Sequence, residues 1–174
     1  MKEINNNSIT IWGSIAGFFI VSLMGTAFHY MYGFSQGNIL TGIFTPINES
    51  LREHLKLLLY PYLLYMSAEY LIFGRKIKGF VFSMTAGMLC GLILIPLCFY
   101  GYSIFTKTNI AVLDILIYYL SVVIAFFISA ERIISRKDEA PHKNRLAVII
   151  IAALILIFTV LTLYSPDTAL YAGA

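Results

Sequence analysis

The sequence predicts an all-α integral membrane protein, a bundle of about five transmembrane helices that forms one domain over residues 1–174. Mean hydropathy is +0.82. Of the 174 residues, 59% are hydrophobic and only 12% are charged. Long apolar runs recur with few charges inside them, which is typical of chains that cross a bilayer repeatedly. A transmembrane β-barrel is disfavoured, because these runs do not alternate polar and apolar residues.

Five apolar runs are each near the ~20 residues that a helix needs to cross the hydrocarbon core. The predicted spans are residues 9–32, 51–73, 79–104, 109–130 and 146–164. The first span carries Gly13 and Gly17, and the third carries Gly87 and Gly91. Both pairs have the G-x-x-x-G spacing that lets two helices approach closely, so we expect both faces to pack against other helices.

The distribution of lysine and arginine predicts the orientation. Two connections are basic and hold eight such residues between them: Arg75, Lys76, Lys78, Arg132, Arg136, Lys137, Lys143 and Arg145. The connection over residues 33–50 has none. Because basic loops stay in the cytoplasm, we expect the N-terminus inside with Lys2, the C-terminus outside and residues 33–50 outside.

The charge and the cysteines exclude two other classes of protein. The formal net charge of +3 is spread over loops where membrane topology and anionic lipid account for it, so no nucleic-acid partner is expected. Cys90 and Cys98 lie in one span without the spacing of a metal or redox motif. The expected location is the cell membrane, and the expected partner is the lipid bilayer, with a membrane protein partner or a homo-oligomer also open.

Polar residues concentrate in one short stretch, residues 43–56, which we take as the candidate site. Thr45 followed by Pro46 is a helix-start signal, since a threonine oxygen can cap free backbone N–H groups and proline suits the first helical position. We therefore expect a helix to begin near Pro46, with Glu49 and Glu53 one turn apart. Glu69, further along this span, is expected to form a structural ion pair with the basic loop that follows it.

The residue types of this stretch suit metal binding or acid–base chemistry. The expected catalytic residues are Glu49, Glu53 and His54, and the expected binding residues are His29, Asn48, Ser50, Lys56 and Asp114. Two alternatives stay open: His29 as an interfacial residue of an aromatic belt, and Asp114 as a charge at a helix start. If a cofactor is bound, a divalent metal is the candidate, with His29, His54 and Glu53 as its ligands. His29 ends the first span and His54 begins the second, so these antiparallel neighbours are predicted to bring both histidines together.

The stretch resembles the motif of a known family. Residues 44–56, preceded by His29 and Tyr32, are similar to an uncharacterised family of small bacterial multi-pass membrane proteins whose pattern is close to N-E-S-x-W-E-H-x-K. Arg52 stands where that family has tryptophan, and Gly33 stands where an acidic residue is common. The family has no assigned activity, so the resemblance implies the position of the site and no reaction.

Three functions remain open from the sequence. The first is a membrane-embedded metal-binding or acid–base enzyme that acts on a lipid or small molecule. The second is a solute-binding or transport component, in which the same polar residues line a cavity. The third is a structural or assembly protein, in which the motif is a helix cap whose charges pair with one another. The arrangement of His29 against Glu53 and His54 discriminates among them.

Overall fold

The computed structural model describes residues 6–135 and 140–164, and these form seven α-helices. The helices are α1 (Asn6–Phe34), α2 (Ile39–Phe44), α3 (Leu51–His54), α4 (Lys56–Ile72), α5 (Phe80–Thr106), α6 (Ala111–Ile134) and α7 (Pro141–Leu163). A 3-10 turn, Gly74–Lys76, joins α4 to α5. The predicted all-helical architecture is confirmed.

Four of these helices, α1, α5, α6 and α7, are long and apolar enough to cross a membrane. The remaining predicted span, the second one at residues 51–73, includes α4, which has 17 residues and therefore a length of ~26 Å. Nine of its residues are buried. Seven of these buried residues lie in the first half of α4, over residues 56–62, whereas α7 is mostly exposed.

The long helices alternate in direction. Residues 13 and 25 of α1 approach residues 69 and 57 of α4, so these two helices are antiparallel. The same holds for α5 and α6, where residue 87 approaches 129 and residue 91 approaches 121. The end of α1, helices α2 and α3 and the start of α4 consequently lie together, and we call this the site end. The described parts of the two basic loops lie at the opposite end, where Phe82 at the start of α5 contacts Arg132 and Asn144.

Both G-x-x-x-G pairs pack against other helices, as the sequence predicted. A β-carbon on Gly17 would overlap the Phe126 ring, and one on Gly87 would overlap the carbonyl oxygen of Ala125. Neither position has room for a larger residue. The core between these contacts is apolar, and its largest buried side chains include Tyr62, Phe80 and Met84.

The predicted helix start near Pro46 is wrong. Residues 46–50 are not helical, and α3 begins at Leu51 with Ser50 as its N-cap. Thr45 closes the short helix α2 instead of opening the next one, because its backbone N–H and its hydroxyl both donate to the carbonyl of Thr41. The predicted second span, 51–73, thus comprises α3 and α4, which meet at Leu55, a residue with helical dihedral angles (φ −59°, ψ −26°).

Glu69 lies in a different environment from the expected ion pair. Its carboxylate is 3.1 Å from the Tyr65 hydroxyl, which also donates to the carbonyl of Gly13 at 2.6 Å. The guanidinium of Arg75, an expected partner, lies over the Tyr70 ring instead. The predictions for Lys2, for Arg136 and Lys137 and for the C-terminal segment 165–174 fall outside the described residues, and the orientation stays a prediction.

Candidate functional site

The candidate site is built by the chain between α1 and α4. This chain folds over the site end in three pieces: the short helix α2, an irregular turn over residues 45–50, and the single turn of α3. Ser50 starts α3 because its hydroxyl accepts the backbone N–H of Glu53 at 3.4 Å. Asn48 supports the turn, since its side-chain oxygen accepts the backbone N–H of Ser50 at 3.0 Å.

His54 is held in one orientation by the backbone. Its ring nitrogen Nδ1 lies 2.9 Å from the carbonyl oxygen of Ser50. A carbonyl has no hydrogen to give, so Nδ1 carries the proton and donates it. The other nitrogen, Nε2, then points towards the Glu49 carboxylate, with 3.3 Å between Nε2 and Oε2. Metal-binding histidines commonly have this arrangement, in which one ring nitrogen donates to a backbone carbonyl and leaves the other nitrogen for the metal.

His29 completes a group of three possible metal ligands, as the sequence predicted for the two histidines. The ring centroids of His29 and His54 are 5.2 Å apart. One ligand atom each from His29, Glu49 and His54 lies within 4.8 Å of the other two. Two ligands of a tetrahedral zinc ion at ~2.0–2.1 Å stand roughly 3.3 Å apart, which is the separation between His54 and Glu49.

The group is open to its surroundings. The Glu49 side chain is 77% exposed and that of His54 is 29% exposed. Two histidines and one glutamate are a ligand set of catalytic zinc sites, which keep a coordination position for water or substrate. A structural zinc site would be closed by a fourth protein ligand. Among the described residues, these three are the possible metal-binding group.

Glu53 does not join this group, although the sequence placed it with the histidines. It is fully buried, and its Oε2 accepts hydrogen bonds from Lys56 Nζ at 2.6 Å and from the backbone N–H of Ile47 at 3.2 Å. Its other oxygen, Oε1, faces the Arg52 guanidinium at 3.5 Å. The carboxylate that lies beside the two histidines is therefore that of Glu49 and not that of Glu53, whereas the metal-binding role of these residues stays a prediction.

Lys56 is also fully buried, and it ties two parts of the chain together. Besides Glu53, its ammonium donates to the carbonyl oxygens of Gly42 at 2.7 Å and Thr45 at 3.3 Å. These two carbonyls are the functional groups that the sequence analysis missed. The sequence contained a signal for these acceptors, because a lysine at the start of a buried helix needs hydrogen-bond acceptors, and the preceding glycine-containing stretch could supply them.

Asp114 lies at the site end but outside the metal-binding group. It stands in the first turn of α6 and accepts a hydrogen bond of 2.5 Å from the Tyr102 hydroxyl. That hydroxyl also accepts the backbone N–H of Ile110. Tyr102 and Asp114 therefore fasten the turn between α5 and α6, which is a structural role.

An apolar cavity of about 320 Å³ lies beside the site between α1 and α2. Phe28 and Met31, which flank His29 in the sequence, form its α1 side. The lining is completed by Leu40, Thr41, Phe44 and Thr45. One of its lining residues, Thr45, also supplies a carbonyl acceptor to Lys56.

Comparison with known proteins leaves the activity open. No protein of curated function and no solved structure matches the chain. A family model does match, and it extends over residues 1–174. This agrees with the resemblance to an uncharacterised family that the motif indicated. The chain therefore belongs to the family described as "Family of unknown function (DUF6512)".

Proposed function

We propose that this protein is a metal-dependent membrane enzyme that uses a divalent ion, with zinc the best match, to act on a lipid or a small molecule. The observation that carries the proposal is the convergence of His29, Glu49 and His54 within 4.8 Å at the site end. Imidazole and carboxylate are ligands of zinc, and three protein ligands leave room for a water or a substrate. A zinc-bound water supplies a nucleophile near neutral pH.

The surroundings of this group support the substrate class. By the positive-inside prediction, the group faces the outer surface of the cell membrane, at the level where lipid head groups lie. The cavity of about 320 Å³ beside it has an apolar lining suited to part of a lipid or to an apolar small molecule. In this proposal Asn48 and Ser50 shape the turn that carries Glu49 and His54.

One observation favours the alternative in which the motif is structural. The contact between His54 Nε2 and Glu49 Oε2, at 3.3 Å, is also the geometry of an ion pair with a protonated histidine. Together with the pair between Lys56 and Glu53, it would make the whole motif an elaborate helix cap. Metal binding distinguishes the two proposals, because a helix cap does not require a metal ion.

The first experiment is a zinc titration of the purified, metal-free protein in detergent by calorimetry. We expect one site per chain. Loss of a supporting residue costs ~10–100-fold in metal affinity, so His29→Ala and His54→Ala should each lower the affinity by roughly a hundredfold or more. His142→Ala is the matched control, because His142 is exposed at the start of α7, at the opposite end. A wild-type protein without a zinc site, or equal effects of all three variants, would support the cap.

The second experiment tests turnover. Phospholipid vesicles of stated composition, such as phosphatidylethanolamine with phosphatidylglycerol, are incubated with zinc-loaded protein and analysed by mass spectrometry, in parallel with a panel of small ester and amide substrates. We expect a product that forms with wild-type protein and the His142→Ala variant and fails to form with His54→Ala. Zinc binding without any such product would favour a metal-carrying or solute-binding role over the enzyme.

A further inference from the structure

Lys56 has no hydrogen left for a substrate or a metal-bound group. A lysine ammonium has three donor hydrogens and no acceptor. Three acceptors lie within reach of Nζ: Glu53 Oε2, the Gly42 carbonyl and the Thr45 carbonyl, at 2.6, 2.7 and 3.3 Å. The side chain is 0% exposed. The donor count therefore argues against the binding role that the sequence suggested for this residue.

The same three contacts connect the ends of the segment that carries the candidate ligands. Gly42 lies in α2, Thr45 is the first residue of the irregular turn, and Glu53 lies after the turn, in α3. The Glu53 carboxylate also holds the middle of the turn through the N–H of Ile47 at 3.2 Å. Glu49 lies between these anchor points. Its side chain is 77% exposed, so contacts made by the side chain itself do little to fix its position.

We propose that Lys56, through Glu53, is the positioning residue of this site, and that it fixes the turn over residues 45–50 so that Glu49 meets the two histidines. This inference rests on the proposed metal site. It assigns Lys56 and Glu53 no contact with metal or substrate. Their role is to order the turn before a metal ion binds, as supporting residues do around other metal ligands.

The design of the test follows from the burial of the pair. Lys56→Met by itself leaves the Glu53 charge buried without its main partner, and such a variant is prone to unfold. The double variant Glu53→Gln/Lys56→Met buries no charge, and the glutamine side chain introduced by the first substitution retains an oxygen that can accept the Ile47 N–H. The double variant loses the link from Nζ to the two carbonyls, together with the ion pairs of Glu53 with Lys56 and Arg52. Lys78→Met, which removes an exposed lysine at the opposite end, is the matched control.

Two measurements are made on each protein. Amide hydrogen exchange of the metal-free protein reports the turn itself, and we expect peptides over residues 45–50 of the double variant to exchange at least about tenfold faster, with α1 and α5 unchanged. Zinc titration reports the consequence, with an expected loss of roughly 10–100-fold in affinity, the range for supporting residues. The control should match wild type in both.

The outcomes separate this inference from the proposed function. Unchanged exchange of residues 45–50 would overturn the positioning role, whatever happens to zinc affinity. Faster exchange with wild-type zinc affinity would overturn it as well, because the turn would then be loosened without effect on the ligands. A wild-type protein that binds no zinc would refute the metal site, while the exchange measurement would still decide whether Lys56 holds the turn.

Discussion

Gly87 is the position where the fold should be least tolerant of one added methyl group. A β-carbon there would overlap both Ser129 Oγ and the carbonyl oxygen of Ala125, and it would lie 3.1 Å from the Ser129 backbone nitrogen. Two of these atoms belong to the backbone of α6, so the clash can be relieved only if the two helices move apart. Overpacking of this kind costs ~1–3 kcal/mol.

The hydrogen bonds around Ser129 add to this cost. The Ser129 hydroxyl donates to the carbonyl of Ser83 at 3.3 Å and therefore accepts from the Tyr62 hydroxyl at 2.7 Å. Displacing Ser129 weakens both bonds, at ~0.5–1.5 kcal/mol each. Alanine regains about 1 kcal/mol of helix propensity over glycine. We therefore expect Gly87→Ala to lower the free energy of unfolding by about 3 kcal/mol.

The assay is thermal unfolding of the purified protein in detergent. A loss of about 3 kcal/mol corresponds to a midpoint lower by ~6–12 °C for a chain of this size. Gly101→Ala is the matched control on the same helix, because a β-carbon at Gly101 meets nothing within 4 Å. Its helix propensity gain is the same, so the difference between the variants isolates the packing contribution. Equal midpoints for the two variants would refute the close contact between α5 and α6.

Four further predictions concern the core, the site and the orientation. Tyr62→Phe should cost about 1 kcal/mol of unfolding free energy, since it removes the bond to Ser129, and denaturation of the variant measures this. Glu49→Ala should leave the unfolding midpoint unchanged and lower zinc affinity by roughly a hundredfold. Glu53→Gln should lower the free energy of unfolding by ~3–5 kcal/mol, because it leaves the Lys56 charge buried without its partner. An impermeant thiol reagent applied to intact cells should modify a cysteine at position 49 and spare one at position 76, and the reverse would overturn the predicted orientation.

The fold could be predicted from the sequence where the signal is local. Hydropathy marks the long helices, and the G-x-x-x-G pairs mark the faces that pack at Gly17 and Gly87. The meeting of His29 and His54 was also predictable, because both lie near the joined ends of antiparallel neighbours. Their ring centroids are 5.2 Å apart.

The rest could not be predicted because it depends on contacts between separate segments. A threonine followed by a proline, here Thr45 and Pro46, is a helix-start signal. In the structure Thr45 instead ends the six-residue helix α2, which was not predicted from the sequence. Glu53 pairs with the buried Lys56 and therefore lies away from the histidines. The other acceptors of Lys56, the carbonyls of Gly42 and Thr45, lie 14 and 11 residues before it in the chain. No periodicity relates those carbonyls to the lysine, so only the folded arrangement shows that Glu49 is the carboxylate beside the two histidines.

The central claim is that His29, Glu49 and His54 hold a divalent ion, and X-ray absorption at the zinc edge of the zinc-loaded protein tests it most directly. The account predicts nearest scatterers at ~2.0–2.2 Å, with the multiple scattering of two imidazole rings and the remaining positions filled by oxygen. His54→Ala should reduce the imidazole contribution to one ring, and His142→Ala should leave the spectrum unchanged. A spectrum without imidazole scattering, or one that His54→Ala leaves unaltered, would contradict the account.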